Sequence, residues 1–301
     1  MNGRVLTCSF LIVALAALAL PVAAQGMSEE YVRQRTEEKF SRPHGFTIEW
    51  DLFAHIAYFE QQQKIRGNGL PGDAISFRDA GGTPFGVFPS TELRMRFSWH
   101  DSLKLGWNAQ FLRAFNDEFD DTTRFNGVIY PEGTDQDYGA DFMEFNLIYR
   151  RDIFRLGLSK NFTMYVQAGL EYAYIKAMTG SDNFPVEEDR DEETFRELLP
   201  WYTVGLGTEI EIGSSIRLRV DARGTYMVGF PTFQKRDGDS MKQSVVGLNA
   251  HFAFEYNLTE WFALIARVNM RYLRVKLYGG DRADSFLWYS LGPELGIGFR
   301  F

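Results

Sequence analysis

The stretch Phe262-Ala263-Leu264-Ile265-Ala266-Arg267-Val268-Asn269-Met270-Arg271-Tyr272 decides the fold. Phe262, Leu264, Ala266, Val268, Met270 and Tyr272 share one parity, while Arg267, Asn269 and Arg271 share the other. Neighbouring side chains of a strand point to opposite faces, so a period of two separates an apolar face from a charged one. Wound as a helix, the same residues would leave no apolar side. Ile216, Leu218, Val220, Ala222 and Tyr226 alternate in the same way with Arg217, Arg219, Asp221 and Arg223. Val246, Leu248, Ala250, Phe252, Phe254 and Tyr256 alternate with Asn249, His251 and Glu255.

Working outward, ten segments carry this pattern, near 45–60, 91–100, 102–115, 138–151, 162–175, 200–212, 215–228, 243–256, 260–273 and 286–301. Each reaches the ~9–11 residues that a tilted strand needs to cross hydrocarbon. Strands of soluble sandwiches are mostly shorter, about five or six residues. Gly205 and Gly207 precede no helix and open no phosphate loop; they read as strand glycines where the wall bends. His100-Asp101-Ser102, Gly213-Ser214 and Asn257-Leu258-Thr259 are tight connections, whereas 61–90, 116–137, 176–199 and 229–242 are long and polar. Long and short connections alternate, as in a barrel with tight turns at one end and loops at the other. The junction 152–161 is long for a tight turn, and 278–285 is short for a loop.

Composition agrees. Aromatic residues make up 16% of the chain, yet mean hydropathy is −0.25 and no second apolar run approaches helical spanning length. That excludes a helical membrane protein and suits strands placed between lipid and a polar interior. The net charge of −8 excludes nucleic acid as a partner. The expected fold class is therefore all-β, a closed antiparallel transmembrane β-barrel of about ten strands. Eight or twelve remain compatible, because 122–130 can extend a hairpin at the loop end. A closed cylinder is required, since an open sheet edge in lipid leaves amides unpaired at several kcal/mol each.

The first residues read differently. Arg4, the apolar run Leu6–Leu20 and Pro21-Val22-Ala23-Ala24 form a signal peptide over 1–24, cut before Gln25. Cys8, the only cysteine, lies inside it, so the mature chain has no disulfide and no thiolate chemistry. Residues 25–44 form a polar segment. Within it Met27–Arg42 predicts a short helix, with Ser28 as N-cap and Pro43 as stop. The barrel occupies 45–301.

The last segment, Leu291-Gly292-Pro293-Glu294-Leu295-Gly296-Ile297-Gly298-Phe299-Arg300-Phe301, resembles the C-terminal strand of bacterial outer-membrane proteins, which alternates apolar residues and ends on Phe. The resemblance implies a location in the outer membrane and contact with outer-membrane lipid and lipopolysaccharide. It also implies recognition by the barrel-assembly machinery through Leu295, Ile297, Phe299 and Phe301. It names no narrower family. With the tight turns placed in the periplasm, Trp99, Tyr149, Tyr256, Phe299 and Phe301 fall at the inner rim. Tyr58, Tyr172, Tyr202, Tyr226, Tyr272 and Tyr289 fall at the outer rim. Tyr and Trp favour membrane interfaces because each joins an apolar body to a polar tip.

The inward faces are charged: Glu49, Asp51, Arg94, Arg96, Glu209, Glu211, Arg217, Arg219, Arg223, Arg267 and Arg271 all point to the lumen. Such residues either line a selective pore or interlock as ion pairs that fill a narrow barrel. Arg217, Arg219 and Arg223 are expected to face Glu209 and Glu211. His55 and His251 also point inward but should lie too far apart along their strands to act together, so no catalytic residues are assigned. The acidic run 187–193 and the cluster Asn116–Asp121 read as solvated loop segments. No cofactor or metal is expected. The sequence thus points to a non-enzymatic, structural or porin-like barrel, with a surface-binding protein acting through its outer loops as the alternative and an outer-membrane hydrolase as the third reading.

Overall fold

The computed structural model describes residues 46–65, 72–98, 100–125, 128–156, 161–180, 195–213, 215–236, 239–279 and 282–301. The expected signal peptide, the 25–44 segment with its expected helix over Met27–Arg42, Trp99 and the acidic run 187–193 lie outside the described residues.

Ten antiparallel strands form the wall: β1 (Thr47–Lys64), β3 (Phe85–Arg96), β4 (Asp101–Glu118), β7 (Asp135–Leu156), β8 (Phe162–Gly180), β9 (Phe195–Ile212), β10 (Ile216–Arg236), β11 (Asp239–Asn257), β12 (Phe262–Gly279) and β13 (Arg282–Arg300). Each pairs with the next in chain order, and β13 pairs back with β1 from Glu49↔Arg300 to Lys64↔Ser285. Ile48 and Phe301 exchange backbone hydrogen bonds of 3.0 and 2.8 Å at the inner end of this seam. The cylinder is closed.

Closure depends on close backbone approach at Gly292, where an added Cβ would lie 2.0 Å from the Ile56 carbonyl oxygen and 2.7 Å from Ala57 Cα. Both are backbone atoms of the partner strand, so neither can rotate away. Gly292→Val is expected to lower the folded fraction several-fold on refolding into detergent, read as the share of protein whose gel mobility changes on heating.

The inner turns are short. Phe97 N–H donates to Asp101 O at 3.2 Å, and the Ser98 hydroxyl accepts from the amides of His100 and Asp101. Hydroxyls of Tyr149 and Ser98 donate to the Asp101 carboxylate and hold it below the usual carboxylate range. Gly213, with φ of 62°, allows the left-handed conformation that the β9–β10 turn needs.

The outer end departs from expectation. Residues 229–242 are mostly strand rather than loop: β10 runs to Arg236 past a bulge between Met227 and Phe230, and β11 begins at Asp239. Gly229, with φ of 68°, sits in that bulge. The short connection 278–285 is mostly strand as well, with Tyr278 opposite Ala283 and Gly279 opposite Arg282. The cause is a change of surroundings. Below Tyr272 the outward face of β12 is Leu264, Ala266, Val268 and Met270; above it the outward residues are Arg274 and Lys276, and Leu273, Val275 and Leu277 turn inward. In β1 the outward Trp50, Leu52, Ala54, Ile56 and Tyr58 give way to Glu60, Gln62 and Lys64. The cylinder continues beyond the apolar band into a zone that is polar outside and apolar inside.

The segments 61–90 and 116–137, expected to be polar loops, also carry structure. β2 (Ile75–Ser76) pairs with β1 at Gln62 and Gln63, and β5 (Thr123–Phe125) pairs with β6 (Val128–Tyr130). Phe77 packs on Phe59 and Tyr138, and Phe119 stacks on Tyr130 at 5.0 Å. The amide of Asp73 donates to Arg124 O, and the Arg124 amide donates to the Asp73 carboxylate, both at 2.8 Å. One wall contact is incomplete. The β3–β4 ladder ends at Ser90↔Asn108, beside Pro89, which has no N–H to extend it.

Candidate functional site

The lumen is the candidate site, and alternation builds it: every second residue of each strand is driven inward by the apolar demand of the outer wall. Glu49, Asp51, Arg94, Glu209, Arg219, Arg223, Arg267 and Arg271 are buried there, and Arg96, Glu211 and Arg217 are half-buried on the same parity. Nearest the inner end, Arg217 reaches across from β10 to Glu49 on β1 at 3.2 Å, and Arg94 meets the same carboxylate at 3.1 Å. Arg217 also lies 3.9 Å from both Glu209 and Glu211, and Arg219 lies 3.6 Å from Glu209. Arg300 joins Asp51 at 2.6 Å and Glu255 at 2.9 Å. Arg223 turns instead to Glu171, at 3.2 Å, because Glu171 stands nearer its level than Glu209 does.

A second tier lies above. Arg267 on β12 bonds Glu92 on β3 at 2.6 Å, contacts Glu294 on β13, and stacks over Phe53 at 4.0 Å. Arg271 on β12 bonds Glu144 on β7, and the wall closes through four strands between them. Asn108 donates to the same carboxylate at 2.5 Å. Guanidinium forks suit such carboxylates because they offer several donors in a fixed plane. Tyr165 lies under Arg150 at 3.7 Å and donates to Asp221 at 3.1 Å. Gly207 makes room for that ring, since a Cβ there would meet it at 2.5 Å. The glycine serves this close approach.

The third tier is aromatic. Trp288 and Phe142 meet across the lumen with centroids 4.8 Å apart, and Trp288 donates to Gln110 at 2.6 Å. Trp201 donates to Glu171 at 2.8 Å. Phe59, Leu199, Val245 and Leu273 join this layer, and Val275, Leu277 and Phe286 continue it toward the outer end.

His55 and His251 correct the sequence reading. Both line one cavity of about 40 Å³ together with Glu144, Arg267, Arg271 and Glu294. His55 Nδ1 is 3.7 Å from Glu294, and His251 Nε2 is 2.8 Å from Asp221. Counting residues from each strand's end placed them at different heights. The register His55↔Glu294, Glu294↔Arg267, with Asn269↔His251 one inward step on, brings them nearly level. Ser90, Asn146, Asn269 and Ser290 each present an oxygen to this cavity without a protein partner, and it has room for about three water molecules. Among the described residues, no three His, Cys, Asp or Glu side chains group as metal ligands.

Glu92, Lys104, Glu144, Arg150 and Asp152 belong to the network although the sequence reading did not single them out. Their signal was present as parity: Glu144, Asn146 and Arg150 alternate with Phe145, Leu147 and Tyr149.

On the outside, Tyr149, Tyr172, Tyr202, Tyr226 and Tyr256 are exposed, Tyr226 by 79%. Tyr272 and Tyr289 are paired neighbours on β12 and β13. Leu295, Ile297 and Phe299 point outward on β13, and Phe301 follows them at 70% exposure.

No family model and no curated protein matches the sequence. Among solved structures, the outer membrane protease OmpT from Escherichia coli is similar at 8% identity and a TM-score of 0.48, over 86% of this chain and 99% of that one. The outer membrane protein OprG from Pseudomonas aeruginosa is similar at 11% identity and a TM-score of 0.37, over 85% of this chain and 96% of that one. Ail, the attachment invasion locus protein of Yersinia pestis, is similar at 10% identity and a TM-score of 0.28, over 84% and 99%. Likeness at this level transfers no chemistry. The chain's own geometry is a closed ring of antiparallel strands with an apolar band outside and charge within, the architecture of a transmembrane β-barrel.

Proposed function

We propose that the protein is a non-enzymatic, integral outer-membrane barrel with a sealed lumen, a structural element of the membrane rather than a pore. One observation carries the reading: Arg271 of β12 and Glu144 of β7 join opposite walls, directly beneath the Trp288–Phe142 contact. A small ion would have to break a buried charge pair and then pass a layer of indole and phenyl rings. The same layer works against a hydrolase, because the histidine cavity lies beneath it and admits water rather than a polymer.

On this reading residues 1–24 direct export and 25–44 remain in the periplasm. Leu295, Ile297, Phe299 and Phe301 present the assembly signal, and the two sets of exposed tyrosines sit at the membrane interfaces. A surface-binding role is the second reading. It is favoured by the aromatic packing of β2, β5 and β6 above the apolar band, which holds the outer segments in a fixed shape.

The test is conductance. Purified protein added to planar bilayers is expected to give no stepwise current at moderate voltage. Reproducible steps from the unmodified chain would end the sealed-lumen reading.

A further inference from the structure

We infer that the outer wall of β11, β12, β13 and β1 carries a docking site for the phosphate groups of outer-leaflet lipids, formed by Lys242, Arg274, Lys276 and Lys64. All four are exposed and share the outward parity of their strands. Lys64 and Lys276 both lie opposite Ser285, on its two sides, and Lys276 lies opposite Ser244. Lys242 lies opposite Tyr278, which places it diagonal to Lys276, a separation of about 7–8 Å that long side chains bridge. Arg274 is the next outward residue below Lys276, about 7 Å away along the strand.

The height of this cluster gives it meaning. One outward step below Arg274 stands Tyr272, paired with Tyr289, and below them the wall is Met270, Val268 and Leu291. Acyl chains lying on that wall end at the tyrosines, and the headgroups they carry meet the four cations. Ammonium and guanidinium groups bind phosphate oxygens through short, charge-assisted hydrogen bonds. Among the described residues, none of the four is bonded to a carboxylate. Glu60, at the level of Tyr289, faces the same wall from below. The other side of the barrel differs, because Arg113 of β4 is neutralised by Asp141 of β7. Four cations on adjacent strands repel one another unless an anion lies between them, and the anion available at this level belongs to the membrane.

The site deepens the outer-membrane reading and rests on it through the tyrosine boundary. It is independent of whether the lumen is sealed, so a conducting barrel would leave it untouched. The test is retention of lipid A by the full, detergent-folded chain, measured by native mass spectrometry with bis-phosphorylated, mono-phosphorylated and dephosphorylated forms. Retention is expected to fall with each phosphate removed. The K242Q/R274Q/K276Q variant should hold the bis-phosphorylated form at least about tenfold more weakly, as three basic residues near an anionic surface contribute additively. Equal retention by variant and wild type overturns the proposal, as does wild-type retention that ignores phosphate number. Inorganic phosphate binding as tightly as the lipid overturns it too, because the ligand would then be free phosphate. Folding of the variant is checked by heat-dependent gel mobility. Should it fail, Lys276→Gln alone and the wild-type phosphate series still decide.

Discussion

Arg267→Ala should destabilise the barrel by about 3–5 kcal/mol, because it strips a buried cation from one buried carboxylate, Glu294, and one half-buried carboxylate, Glu92. Arg267 holds Glu92 at 2.6 Å, contacts Glu294 and lies over the Phe53 ring. Without it Glu92 keeps only Lys104, at 3.6 Å, and Glu294 keeps the Asn269 amide at 2.9 Å and His55 at 3.7 Å. The isolated loss of one partner costs more than the pair contributes, since the desolvation of what remains is no longer offset. Two controls separate charge from packing. Arg267→Met keeps much of the contact with Phe53 and should still lose most of the stability. Adding Glu92→Gln and Glu294→Gln to Arg267→Met should recover roughly half of it, since neutral amides are cheaper to bury. Urea midpoints at constant m-value read the differences. If Arg267→Ala and the triple change are equally unstable, the lumen charges matter for their volume and not for their pairing.

Much of this lumen was legible beforehand. In β10 and β12 the parity of Arg217, Arg219, Arg223, Arg267 and Arg271 named the inward residues, since a strand offers only two faces. The strand number followed from the spacing of tight turns and longer connections. The outer extension was hidden because alternation there changes meaning. Past Tyr272 the inward residues are Leu273, Val275 and Leu277 and the outward ones are Arg274 and Lys276. A reading that follows the apolar parity meets a slip of one residue and takes it for a strand end, although the backbone ladder runs on to Gly279↔Arg282. Water replaces lipid outside at that level, so the rule for the outer face reverses. Pairings across the lumen were beyond reach for another reason. Whether Arg271 finds Glu144 or Arg223 finds Glu171 depends on the tilt of a closed cylinder. No local pattern records that tilt, and the same ignorance separated His55 from His251.

Conduction should appear only when two tiers are removed together. Trp288 and Phe142 close the lumen at the level of Tyr289, and Arg271 with Glu144 closes it beneath. Trp288→Ala with Phe142→Ala opens the upper tier at a stability cost of about 3–5 kcal/mol for each large aromatic removed. The space created joins the polar cavity beside Asn108 and Ser290 and fills with water, yet the guanidinium–carboxylate bridge still spans the path. Arg271→Ser with Glu144→Ser opens the lower tier and leaves the rings in place, so an ion there meets an apolar barrier with no partner for its charge. Each double variant should therefore remain silent in planar bilayers, and the quadruple variant should give discrete steps. Its lumen would still be lined by Arg223, Arg267, Glu92 and Glu294, so its ion preference should respond to neutralising either sign. Current from the aromatic variant alone would show that water and ions thread the charged tier unaided, which would assign the seal to Trp288 and Phe142. A silent quadruple variant that retains heat-dependent mobility would place a further seal among Phe59, Phe77 and Tyr138, where Phe77 packs between β1 and β7.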